Sequence, residues 1–218
     1  MLSMRHPDRE TQSWMVPATM MESKQNGHTN APQADGATGA DAALKALAGS
    51  GPRAPSAEDE AYPITIRADG TWTYHGSPIG RLPMVKLFST VLRRDEGGDY
   101  WLITPAERGR IHVEDAPFVA VGLSVTGEGR DQALSFITNL EAEVTAGPDH
   151  PIRVVTDPAT SEPRPYIRVK GPAETPLEAR INRAIFYDLV ERAEPGDAGE
   201  IGVWSQGMFF PLGRVDGD

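Results

Sequence analysis

The chain contains no cysteine. That absence removes disulfides, thiolate nucleophiles and every cysteine-ligated zinc site. Long apolar runs are missing too: nothing approaches the roughly 18 residues of a membrane span, and no secretory apolar region follows Arg5. These features predict a cytoplasmic protein. Positive charge is scarce, with a net charge of −10. Residues 1–61 hold 5 basic against 8 acidic side chains, and the remainder 16 against 23. An acidic body argues against a nucleic-acid polymer as partner, because phosphate binding needs a cationic surface. Lys86 and Lys170 are the only lysines after residue 61, and arginine supplies the rest, as codon bias in a GC-rich genome would produce.

Apolar residues are sparse at the start, where Gly, Pro, Ser, Asn and Gln dominate. Such composition cannot bury enough surface to offset chain entropy, so residues 1–39 read as a disordered tail. Residues 40–61 read as a short helix and linker. Asp41 can cap a helix over Asp41–Ala48, with Leu44 and Leu47 on one face and Gly49 at its end. Residues 214–218 read as a second tail.

Between the tails the pattern predicts an α+β fold built from two similar ββαββ units, with mostly antiparallel sheets. The first unit, 62–145, opens with alternating Ile64 and Ile66, a tight turn at Asp69-Gly70, and a return over Thr71–His75. A helix near Leu82–Leu92 follows, with Pro83 in its first turn. Met84, Val85, Leu87, Phe88, Val91 and Leu92 are its expected apolar face, and Lys86, Ser89 and Arg93 its wet one. Tyr100–Ile103 and Arg110–Glu114 read as strands. Phe118–Thr126 and Gln132–Thr138 then form a hairpin bridging to the second unit.

That second unit, 146–213, reads as strands at Pro151–Thr156 and Tyr166–Lys170. Thr175-Pro176-Leu177-Glu178 has the form of a capping box that starts a helix, with Leu177, Ile181, Ala184, Ile185 and Leu189 as its buried stripe. Pro195-Gly196 ends it, and Glu200–Trp204 and Met208–Leu212 close as strands.

Several stretches together resemble one bacterial family, domain of unknown function 1285. They include Asp69-Gly70-Thr71-Trp72, Pro78-Ile79-Gly80-Arg81, Val113-Glu114-Asp115-Ala116-Pro117-Phe118 and His150-Pro151-Ile152-Arg153-Val154. Gly202-Val203-Trp204-Ser205 belongs with them. The resemblance spans about residues 40–213. It implies a duplicated α+β core whose C-terminal half superficially resembles a pleckstrin-homology fold, a ligand site between the halves for something nucleotide-like, and a signalling role. It assigns no catalytic residue.

Recognisable chemistry is thin. Gly127-Glu128-Gly129 lies between strands instead of opening a helix, so it is a turn and not a dinucleotide loop. His112-Val113-Glu114 echoes a zinc-deaminase motif without its cysteine pair. No metal and no cofactor is predicted. The leading reading is a non-enzymatic binding protein for a small anionic, possibly nucleotide-like, ligand. Arg81, Arg180 and Arg183 are placed by the expected helices in first turns, where a cation opposes the helix dipole and needs a carboxylate or an anionic ligand beside it. Trp72, Tyr166 and Trp204 are the candidate stacking surfaces. An acid–base hydrolase or lyase is the second reading, using Glu107, Glu114 and Asp115 with His75 or His112. A peptide- or protein-binding module is the third.

Overall fold

The computed structural model describes residues 61–197 and 199–214. The expected first tail, the helix at 41–48 and residues 215–218 of the second tail lie outside the described residues, whereas Arg214, expected in that tail, ends the last strand. The first sheet is made by β1 (Ala61–Ile66), β2 (Trp72–Tyr74), β3 (Ser77–Pro78), β4 (Leu92–Arg94), β5 (Tyr100–Ile103) and β6 (Arg108–Val113). Their spatial order is β3-β2-β1-β6-β5-β4, antiparallel except where β1 runs parallel to β6. The β1–β2 turn takes Gly70 at φ 84°, a region open to glycine at little cost. Asp69 Oδ1 accepts from the Thr71 amide at 2.8 Å and fixes the bend.

Helix α1 (Leu82–Val91) carries Pro83 in its first turn, where the missing N–H has no partner to lose. It buries Met84, Val85, Phe88 and Ser89. Two expectations fail here. Leu87 is 55% exposed, whereas Ser89 is buried with its hydroxyl donating to the Lys86 carbonyl. Leu92 begins β4 directly instead of extending the helix, because its backbone is already extended at φ −70°, ψ 133°.

The second sheet has the order β10-β11-β12-β7-β8-β9, from β7 (Phe118–Thr126), β8 (Ala133–Thr138), β9 (Glu143–Thr145), β10 (Ile152–Thr156), β11 (Pro163–Lys170) and β12 (Leu177–Ile181). Its parallel pair is β7 with β12. The hairpin β7–β8 is therefore part of the second sheet. Helix α2 (Arg183–Glu191) follows β12, and β13 (Glu194–Pro195), β14 (Glu200–Ser205) and β15 (Met208–Arg214) form a sheet of three.

The capping box at Thr175 does not start a helix. Leu177, Ala179 and Ile181 are all buried with the alternation of a strand, and the segment fills the slot between β11 and β7. The true N-cap is Asn182, whose side chain accepts from the Ile185 amide at 2.9 Å. Leu177 and Ile181 fit either a helical stripe or a period of two, which is why spacing alone misplaced the start.

Counted from β1 and from β10, three strands precede each helix and three follow it. This mixed α+β arrangement is consistent with duplicated units. In the first half all six strands share one sheet. In the second, the last three separate, and β7, β8 and β9 occupy the place beside β12.

Candidate functional site

Cross-strand register builds the site. Arg153 on β10 faces Tyr166 on β11, Tyr166 faces Arg180 on β12, and Arg180 faces Val119 on β7. Neighbouring strands thus place a guanidinium on each flank of one phenol ring, 4.6 Å and 5.3 Å from its centroid. Glu178, 8% exposed, accepts from Arg153 Nε at 2.6 Å and from its terminal nitrogen as well. The first half contributes Asp115. It accepts from the Tyr166 hydroxyl at 2.6 Å and pairs with Arg180 at 3.3 Å. Burial raises the Tyr166 phenol above its ordinary range, and the bond to Asp115 raises it further. Asp115 therefore holds the two halves together through a charge-assisted network.

Beside this network lies an open cleft of about 870 Å³. One wall comes from the first half, with Ala68, Asp69, Glu114 and Asp115; the other comes from Arg164, Arg180, Arg183, Phe186 and Tyr187. Asn182 and Arg183 line it, so the positive end of α2 borders the cleft. Its cations differ in state. Arg180 is paired with Asp115, and Arg164 with Asp157. Arg183 donates from Nε to the Tyr187 hydroxyl at 2.9 Å and has no carboxylate within ion-pair distance among the described residues. That bond is the main cause of its raised affinity for its proton.

Arg180, on β12 and not in a helix turn, lines the cleft with Arg183 and with Glu114 and Asp115 of the acid–base candidates. Tyr166, 7% exposed between two guanidiniums, is not on the lining and offers no face for stacking. Arg81 precedes α1, makes no side-chain cap and does not line the cleft. Trp72 is 2% exposed and stacks on Phe88 at 6.3 Å, so it belongs to the core and offers no surface to a ligand. Trp204 packs on Phe209 beneath Arg130, away from the cleft lining. Glu107 and Asp115 lie beyond opposite ends of β6, whose six residues span roughly 20 Å. The pair needed for acid–base chemistry is not assembled. Glu114 accepts from the Ala68 amide at 2.9 Å. His75 sits in a turn against Tyr74, and His112 is exposed on β6. Among the described residues no group of three His, Asp or Glu is placed to hold a metal ion.

Sequence reasoning missed Asn139. It donates to the Gly70 carbonyl at 3.1 Å and exchanges bonds with Val119, fastening the first hairpin to β7. It also missed Lys170, which donates to the Ser89 carbonyl at the end of α1 and lies 5.5 Å from the Phe118 ring. Burial, with Arg93 adding to it, lowers the Lys170 ammonium below its usual range. No local pattern could have signalled either residue, since both act across the join.

Glu107 does have a role, with Tyr62, whose hydroxyl donates to it at 3.3 Å. Burial first, and then Glu107, push the Tyr62 phenol up to about 12 from 10.0. The folded state therefore holds this proton more tightly. The resulting stability is present below pH 10 and is lost as pH rises towards 12. Urea melts at pH 9 and pH 11.5 should show wild type losing about 1 kcal/mol more than Tyr62→Phe, after allowance for screening near the surface. Equal losses would refute the linkage.

Two family models match. Residues 54–116 fit "Domain of unknown function (DUF1285), N-terminal domain", and residues 117–212 fit "Protein of unknown function (DUF1285), C-terminal domain". No curated protein matches. The crystal structure of a DUF1285 family protein from Silicibacter pomeroyi DSS-3 is similar at 46% identity and a TM-score of 0.66, over 72% of this chain and 82% of that one. A DUF1285 family protein from Shewanella baltica OS155 is 27% identical over 61% of this chain and 93% of that one, with a TM-score of 0.46. On the family models and the Silicibacter relative, the chain belongs to the bacterial DUF1285 family.

Proposed function

We propose that this is a non-enzymatic binding protein that takes a small anionic ligand into the cleft between its two halves, in keeping with a signalling role. The observation that carries this reading is Arg183. It stands in the first turn of α2, lines the cleft, and has no carboxylate at ion-pair distance among the described residues, Glu162 acting on it only from further off, while Arg180 and Arg164 are already paired. A cation at a helix start is costly unless an anion offsets it, and a bound anion would also meet the amides of that turn. Asp69, Glu114 and Glu162 on the same lining limit the ligand to one compact anionic group, since a polyphosphate would be repelled. Tyr187, 52% exposed, and Phe186 supply apolar surface for the rest of it.

Thermal-shift assays with AMP and inorganic phosphate test this, because a ligand of the native state raises the melting temperature. Arg183→Ala should weaken anion binding by about 1–3 kcal/mol. Arg81→Ala, outside the cleft, should bind as wild type does. An identical shift in Arg183→Ala, or no shift with either anion, would sink the reading.

A further inference from the structure

The charges on the cleft do not balance. Asp115 and Arg180 neutralise each other, and Arg164 is engaged by Asp157. What remains is Arg183 against Asp69, Glu114 and Glu162, all exposed. Among the described residues none of these three carboxylates meets a cation at ion-pair distance. Arg67 acts on Asp69, and Glu162 on Arg183, only from further off. The charges are also sorted by wall. Asp69 and Glu114 stand on the first half, where Asp69 Oδ1 accepts from the Thr71 amide at 2.8 Å and Glu114 Oε2 from the Ala68 amide at 2.9 Å, so one turn orients both. Arg183 and Glu162 belong to the second half, with Phe186 and the half-exposed Tyr187. A ligand that is an anion and nothing more would satisfy Arg183 and leave two carboxylates across the cleft repelling it.

We infer that the anionic group taken into the cleft is the carboxylate of a basic amino acid, whose side-chain cation reaches Asp69 and Glu114. This rests on the anion seat proposed above at Arg183 and names the molecule that brings the anion. The planar carboxylate matches the guanidinium fork. The α-ammonium, one bond from the carbon that bears the carboxylate, enters the region where Glu162 acts on Arg183. The aliphatic stem lies along Phe186 and Tyr187, and its far end crosses to the opposite wall. One carboxylate and two cations on the ligand thus complement one guanidinium and three carboxylates on the protein. The same arrangement discriminates. A neutral amino acid leaves Asp69 and Glu114 unanswered, and a diamine leaves Arg183 so.

Calorimetric titration of the full chain tests this with L-lysine, with L-norleucine, which lacks the side-chain cation, and with cadaverine, which lacks the carboxylate. Lysine should bind at least about tenfold more tightly than either. The double variant Asp69→Asn/Glu114→Gln keeps an acceptor for each turn amide. It should bind lysine at least about tenfold less tightly, while its thermal shift with inorganic phosphate equals or exceeds that of wild type, because two negative charges have left the cleft. Arg183→Ala should weaken both ligands. Lysine binding no tighter than norleucine or cadaverine overturns the inference, as does lysine binding that survives in the double variant or in Arg183→Ala. If phosphate protects the wild type and lysine does not bind, the anion seat stands and this inference falls. If neither binds, both fall.

Discussion

Trp72→Ala should lose about 3–5 kcal/mol of folding stability, the usual range for emptying an aromatic site in a core. Trp72 is 2% exposed in β2, stacked on Phe88 with 23° between the rings, and it joins the helix to the sheet of the first half. Its indole Nε1 is buried with no hydrogen-bond partner among the described residues. Trp72→Phe should therefore cost much less, about 1–2 kcal/mol, since it keeps most of the ring and relieves an unsatisfied donor. Urea titration of the three proteins measures both values. A loss below about 1 kcal/mol for alanine, with anion binding abolished, would return this residue to the ligand site.

Asp115→Ala should cost about 2–4 kcal/mol, because it strands Arg180 and deprives the Tyr166 hydroxyl of its acceptor. The Asp115 and Arg180 side chains are 18% and 27% exposed, which places the loss below that of a fully buried pair. Asp115→Asn, which can still accept from Tyr166, should fall between. The same change frees a second guanidinium beside the cleft, so anion binding should tighten as stability falls. Chemical denaturation and thermal shift are then expected to move in opposite directions. A stability within 0.5 kcal/mol of wild type would show that the join does not depend on this carboxylate.

Local chemistry made much of the fold legible. The Asp69-Gly70 turn, Pro83 in the first turn of α1 and the alternation of Ile64 with Ile66 each specify their geometry over a few residues, and each stands where expected. The start of α2 did not, because burial of Leu177 and Ile181 satisfies two periods and the choice between them is made by β7, about sixty residues away in the chain. The site was legible to the same limited degree. Arg183 could be found from its place near a helix start. Asp115 was visible only as one of several acids, and its pairing with Tyr166 and Arg180 depends on contacts between the halves. Trp72 misled because an aromatic residue beside a turn looks the same whether it faces a ligand or a core. The strand order adds no support to the pleckstrin-homology likeness.

The two parallel ladders have a consequence for the time course of folding. Hairpins such as β7–β8 and β14–β15 join neighbours in the chain and can form early and locally. The β1–β6 and β7–β12 pairings instead bring together positions as distant as Ala61 with Arg110 and Phe118 with Ala179. Each closes a long loop before its contacts repay the lost entropy, so these two closures should set the folding rate. Until each occurs, its hairpins have unpaired edges, and a nascent chain is exposed to association over that interval.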